Sequence, residues 1–156
     1  MKKLITLVAA LTLSASAFAE VKVDHPYARA VPPGQANSAA FMTLTNNSDE
    51  EVSLISASTS VAKVAELHTH TQENGVMKMR KIPQITMKAN EQVQLKPGGL
   101  HVMLIGLKQN LNKDEMIDLT LNFSDGSSEK LDIKVMDVMS GMGNMQMHKG
   151  MQQQAQ

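Results

Sequence analysis

The stretch that decides the fold covers residues 116–135 and reads MIDLTLNFSDGSSEKLDIKV. Apolar and polar residues alternate in its first half, where the apolar positions are Ile117, Leu119, Leu121 and Phe123. Asp125-Gly126 then predicts a tight turn, and the alternation resumes at Leu131, Ile133 and Val135. A period of two is typical of a strand with one buried face. This stretch therefore predicts a β-hairpin.

Short strands of the same kind are predicted along most of the chain. Asn74-Gly75 is the strongest hairpin signal, Pro97-Gly98-Gly99 marks a further turn, and residues 108–115 predict a loop or one helical turn. Many short strands separated by turns favour an all-β antiparallel β-sandwich. The predicted strands start near Val21 and continue at 39–45, 52–57, 61–70, 76–80, 92–95, 100–107, 117–123 and 131–135.

The first 19 residues have the pattern of a secretory signal peptide. Lys2 and Lys3 precede a short apolar run, and Ala17-Phe18-Ala19 is an A-x-A cleavage site. The run is too short for a membrane span, no later stretch is apolar enough for one, and no cysteine follows it to carry a lipid. We expect residues 1–19 to direct export to the periplasm and residues 20–135 to form one domain.

Composition excludes several classes of function. The 156 residues hold 15 basic and 15 acidic side chains, so no basic surplus favours nucleic acid. The absence of cysteine excludes disulfides, thiolate zinc sites, iron–sulfur clusters and cysteine nucleophiles. Methionine is abundant at 13 residues, and its thioether is a soft ligand that suits Cu(I).

The C-terminal segment 136–156 differs from the rest of the chain. It carries six methionines and one histidine between residues 136 and 151, and glycines interrupt any helix. We expect a disordered, Met-rich tail. Capture of a soft metal by its thioethers is compatible with disorder, because a flexible segment can gather a metal without a formed site.

Two His/Met pairs lie on separate predicted strands. His101 and Met103 share one face, since residues two apart in a strand point the same way, while Val102 and Leu104 point to the apolar face. Ile105 shares the side of His101, so a core role for that histidine stays open.

The predicted hairpin supplies the second pair. With Asn74-Gly75 as its loop, His70 faces Met79; with Glu73-Asn74 as its loop, His68 faces Met79. Both registers place His68, His70, Met77 and Met79 on one face. Two imidazoles and two thioethers carry no charge, and such a set favours Cu(I) over Zn(II) or Mg(II).

The spacing of these residues matches a known motif. Ten residues separate His68 from Met79, twenty-one separate Met79 from His101, and Met103 follows. This chain resembles the PCu(A)C family of periplasmic copper chaperones, whose hallmark is H-x10-M-x21-H-x-M. The resemblance covers about Val21 to Val135 and is carried by ELHTHT at 66–71, VMKMR at 76–80, KPGGLHVML at 96–104 and NSAAF at 37–41.

The resemblance implies a cupredoxin-like β-sandwich that binds one Cu(I) through His68, Met79, His101 and Met103. It also implies copper delivery to the dinuclear site of a respiratory oxidase subunit or to another copper chaperone. The tail resembles extensions that bind additional Cu(I) or Cu(II). His70 and Met77 are left either as secondary or transient ligands or as surface residues.

We therefore expect a copper transfer protein that is not an enzyme. The first alternative is a periplasmic copper storage or detoxification protein. A copper redox enzyme would need an open coordination position, and two methionine ligands oppose easy redox cycling. A metal-free adhesion-type sandwich would leave the His/Met spacing unexplained.

Overall fold

The computed structural model describes residues 21–137, which form ten strands. No helix within these residues is long and apolar enough to cross a membrane. The predicted signal peptide, and the predicted tail beyond Asp137, lie outside the described residues. The strands are β1 (Val21–Arg29), β2 (Asn37–Asn46), β3 (Val52–Ser58), β4 (Ala62–Glu73), β5 (Val76–Lys81), β6 (Ile85–Met87), β7 (Gln92–Leu95), β8 (His101–Leu107), β9 (Met116–Phe123) and β10 (Ser128–Met136).

The strands form a β-sandwich, as the alternating pattern predicts. They pair in the order β5-β4-β8-β2-β1-β10-β9-β3-β6, and β7 pairs with β2. β4, the second strand in this order, also pairs with β3, the second to last. Among the described strands, β1 and β10 pair in parallel, whereas the others pair antiparallel. This departure from a purely antiparallel fold arises because the first and last strands meet without a hairpin to fix their directions.

The core lies between the inward faces of the strands. In β9 the odd-numbered residues are buried, as the alternation in 116–135 predicts. Each fully buried leucine stabilises the fold by about 1.5–3 kcal/mol, and the chain has no disulfide to assist. The largest fully buried side chains include Leu44, Leu54, Leu104, Leu119, Leu121 and Phe123.

The strand boundaries differ from the sequence prediction at a few places. β4 extends to Glu73 and β10 begins at Ser128, because each continues along its partner as far as the adjoining turn. β6 was not predicted, since three residues are too few to show a period. It exists through its pairing with β3. Residues 108–115 form a loop, in agreement with the prediction.

A buried asparagine holds together the loops at one end of the sandwich. The Asn46 amide donates to the carbonyl oxygens of Glu50, Lys88 and Met87 at 2.8, 3.0 and 3.2 Å. Its Oδ1 accepts from the backbone and hydroxyl of Ser48 at 3.0 and 2.8 Å. The side chain is fully buried, so each of these bonds replaces one to water.

Replacing this asparagine tests that role. We expect Asn46→Ala to lower the free energy of unfolding by about 2–3 kcal/mol, because the carbonyl oxygen of the buried Met87 loses its donor and the buried Ser48 loses its acceptor. Urea unfolding of the metal-free protein measures the change. Asn112→Ala is the matched control, since Asn112 is exposed and should cost less than about 1 kcal/mol. Equal losses for the two variants would contradict the structural role of Asn46.

Candidate metal centre

Three neighbouring strands bring the predicted ligands onto one face of the sheet. In the pairing of β4 with β8, His68 lies directly opposite His101. In the pairing of β4 with β5, His70 lies opposite Met79, so Met79 is diagonal to His68. Met103 lies two residues beyond His101 on the same face. The hairpin therefore has the register expected for an Asn74-Gly75 loop, and both turn residues have positive φ.

This face lies opposite the core. Leu67 pairs with Val102 between the ligand positions, and both side chains are buried in the core. His101 and Met103 therefore point away from the apolar face, as predicted. His101 is nonetheless only 3% exposed, because other rings cover it, including Phe41 with its centroid at 6.2 Å. A position on the outer face therefore does not make this histidine accessible to solvent.

Hydrogen bonding fixes the tautomer of His68. Its Nε2 lies 3.0 Å from Glu66 Oε2, and Lys81 Nζ lies 2.7 Å from the other carboxylate oxygen. The bonds from Lys81 and, second, from His68 hold the pKa of Glu66 below its usual range. An ionised carboxylate only accepts, so in the neutral ring Nε2 of His68 carries the proton and Nδ1 presents a lone pair.

That lone pair is the feature of the site that most clearly fits a metal ion. Nδ1 of His68 is buried and has no hydrogen-bond partner among the described residues. A buried polar atom without a partner is costly. A histidine that donates one N–H to a carboxylate and offers the other nitrogen to a metal is a common arrangement.

One backbone carbonyl orients the other two histidines. Nδ1 of His101 donates to the Gly99 oxygen at 3.0 Å, and Nδ1 of His70 donates to the same oxygen at 3.3 Å. In both neutral rings Nε2 is then the nitrogen with the lone pair. The ring centroids of His70 and His101 lie 5.2 Å apart, closer than the 5.8 Å between His68 and His101.

The environment of His101 favours its neutral form. Burial is the largest cause that lowers its pKa from the ordinary value, and the neighbouring His70, His68 and Arg29 act in the same direction. The hydrogen bond to Gly99 opposes them. A neutral imidazole is the form that binds a metal, so the depressed pKa keeps His101 ready as a ligand to lower pH.

A cavity of about 230 Å³ opens over this face. Met79, Met103, His70 and His101 line it, together with Arg29 and Phe41. His68 is not among the described residues that line it. Met79 is 46% exposed, so one predicted ligand reaches solvent while the histidines lie deeper.

The chemistry of these donors restricts the kind of metal. Among residues 21–137, no group of three His, Cys, Asp or Glu side chains is arranged to hold a metal ion. The other donors that line the cavity are the thioether sulfurs of Met79 and Met103, which are soft ligands. Met77 is 55% exposed and pairs with Gln72 farther along the hairpin, so the structure does not bring it into the cavity.

Sequence reasoning missed three groups that shape the site. Glu66 shares the face of His68, and its position two residues earlier on the strand was a usable signal. The Gly99 carbonyl orients two rings, and backbone hydrogen bonds of this kind have no signature in the sequence. Phe41 packs against the rings of Tyr27 and His101 on the outer face. A single apolar residue in a strand does not indicate such a role in the sequence.

Comparisons with known proteins show the family of this chain. Residues 21–136 match the family described as LpqE-like, "Putative lipoprotein LpqE-like". The "Putative lipoprotein Lxx21020" of Leifsonia xyli subsp. xyli is 32% identical over 118 residues, which cover 75% of this chain and 70% of that relative.

Two solved structures are similar to this fold. The copper-bound PCuAC domain from PmoF2 has a TM-score of 0.65 at 21% identity, covering 76% of this chain and 93% of that one. The solution structure of CuI-DR1885 from Deinococcus radiodurans has a TM-score of 0.60 at 37% identity, covering 73% and 78%. The chain therefore belongs to the LpqE-like family, the PCu(A)C-type family that its His/Met spacing predicts.

Proposed function

We propose that this protein binds one Cu(I) through His68, Met79, His101 and Met103 and passes it to a copper-accepting protein. The observation that carries the proposal is the buried, unpartnered Nδ1 of His68, on the strand face that also presents His101. The two methionines lie on the same face and add soft sulfur donors.

The charge of the site supports a monovalent soft ion. Imidazoles bind a metal in their neutral form and thioethers carry no charge, so the proposed ligands bring no negative charge to the ion. The cationic Arg29 also lines the cavity and lies 5.5 Å from the Phe41 centroid. The cost of burying an ion without counter-charge rises steeply with its charge. Cu(I) therefore fits this site better than Zn(II), Mg(II) or Ca(II), which also prefer harder ligands.

The relatives support the same cargo. The Deinococcus protein was solved as its CuI form, and the PmoF2 domain was solved with copper bound. Because the ligands are neutral and Met79 is exposed at the rim, an acceptor with charged thiolates can remove the ion. We propose a chaperone without catalytic activity that acts in the periplasm and serves a respiratory oxidase subunit or another copper chaperone.

Copper storage is the second candidate, favoured by the six methionines between residues 136 and 151. A storage protein would hold several ions and release them slowly, whereas a delivery protein would transfer one ion to a specific acceptor. The tail can be removed without cutting the sandwich, because the last strand, β10, ends at Met136. The Met136 carbonyl oxygen still accepts a hydrogen bond from the Ala30 N–H at 2.8 Å.

The first test removes one sulfur. We expect Met103→Ala to weaken Cu(I) binding by about a hundredfold or more, because one of four ligands is lost. Anaerobic titration against a competing chelator measures the affinity. Met116→Ala is the control, since Met116 is 59% exposed and lies on β9. Met103 is a cleaner target than His101, whose removal would also leave a cavity beneath Phe41.

A null result for that variant would be decisive. If Met103→Ala binds Cu(I) as tightly as Met116→Ala does, then the proposed ligand set is wrong. A parallel loss of stability in urea would point to packing instead of coordination.

The second test removes the tail. We expect a chain that ends at Asp137 to keep one tightly bound Cu(I), because all four proposed ligands lie within the sandwich. Weaker copper beyond the first equivalent should disappear with the tail. Anaerobic titration followed by metal analysis counts both classes. Loss of the tight equivalent on truncation would place the principal site in the tail and favour storage.

The third test follows affinity against pH. An ordinary imidazole gains a proton near pH 6.5, and a protonated ring cannot bind copper. Burial lowers the pKa of His101, so its proton competes with copper only at a lower pH. We expect Cu(I) affinity to be level above about pH 7 and to fall below about pH 6.5.

The slope of that fall reports the number of histidines. It should approach two protons per copper at low pH, because the proposed ligand set has two imidazoles and thioethers bind no proton. Competition titrations between about pH 5 and pH 8 give the slope. A constant affinity across this range would contradict coordination by imidazole.

A further inference from the structure

Access to the candidate metal centre is unequal among its three histidines. The described cavity is lined by His70, His101, Met79 and Met103, but His68 does not line it. Only 13% of the His68 side chain is exposed, and its Nδ1 is buried. An ion entering from solvent therefore meets His70 before it can reach the lone pair of His68.

His70 is arranged as a ligand and held loosely. The Gly99 carbonyl only accepts, so in the neutral ring Nδ1 of His70 carries the proton and Nε2 has the lone pair. The 3.3 Å bond to Gly99 is long for an N–H···O bond, whereas that of His101 is 3.0 Å. A weakly held ring can turn toward an ion and away again at small cost.

His70 also lies between the exposed and the buried donors. It is directly opposite Met79 across the hairpin, and its ring centroid is 5.2 Å from that of His101. His101 in turn is directly opposite His68. The face thus offers a continuous series of donors from the exposed Met79 through His70 and His101 to His68.

We propose that His70 is a transfer ligand, which holds Cu(I) with Met79 and His101 while the ion moves between the cavity and His68. This inference rests on the proposed function of the same site. During entry the bond from Cu(I) to His70 Nε2 forms first; it then breaks as the bond to His68 Nδ1 forms. The ion stays Cu(I) throughout, and no proton or electron is exchanged. Release follows the same steps in reverse.

A transfer ligand changes rates and leaves the final affinity nearly unchanged. It stabilises an intermediate and the barriers around it, so its loss slows entry and release by the same factor. This behaviour distinguishes His70 from His68, whose removal should weaken the affinity itself. It also differs from a structural role for His70, because a structural role would not require an atom that can bind a metal at this position.

Glutamine and methionine at this position give a matched pair. In His70→Gln the amide N–H can still donate to Gly99, but the side chain has no soft or imidazole donor. In His70→Met the hydrogen bond is lost, but a thioether can bind Cu(I). His25→Asn is the control for loss of an imidazole, because His25 is exposed and has positive φ, which asparagine tolerates.

The experiment measures Cu(I) exchange between the full-length protein and a chromophoric chelator by anaerobic stopped flow, in both directions. We expect His70→Gln to slow both directions by about tenfold or more and to change the equilibrium constant by less than about threefold. His70→Met should restore most of the rate, and His25→Asn should match the wild type.

Three outcomes would overturn the inference. Wild-type rates in His70→Gln would show that copper enters without His70. An affinity loss as large as that of His68→Ala would make His70 a permanent ligand. Slow exchange in His70→Met as well as His70→Gln would indicate a structural role through Gly99. Failure of the wild type to bind Cu(I) would instead reject the proposed function itself.

Discussion

The register between β4 and β8 is the constraint on which both the core and the candidate metal centre depend. Leu67 and Val102 face the interior only when His68 and His101 face the opposite side. A slip of one residue would bury the imidazoles in the apolar core and expose the leucine. The hydrophobic core therefore enforces the placement of the two histidines, which need no stabilising energy of their own to stay opposed.

The sequence predicts most of the features that follow from alternation. The strand pattern and the common face of the His/Met pairs depend on the period of two, and the Asn74-Gly75 turn depends on its own two residues. Local residues determine all three features. The three-residue β6 and the parallel pairing of β1 with β10 could not be predicted, because they depend on contacts between distant segments. The alternation predicts the face of the sheet on which a side chain lies, but it does not predict how far that side chain is buried.

His101 shows this limit most clearly. Its position on the outer face follows from the sequence, whereas its 3% exposure depends on Phe41 and on two other histidine rings. The tautomers of His68 and His101 likewise depend on Glu66 and on the Gly99 carbonyl. Spacing motifs identify which residue types can bind a metal, and the surrounding hydrogen bonds decide which atom of each residue is available.

The hairpin strand β5 has a consequence for how such proteins diverge. All six of its residues are exposed, and among the described strands it pairs with β4 alone. The stability of the fold therefore places little constraint on Met79. A relative without the proposed copper function could replace Met79 and still fold, and its scaffold would be free to acquire another role.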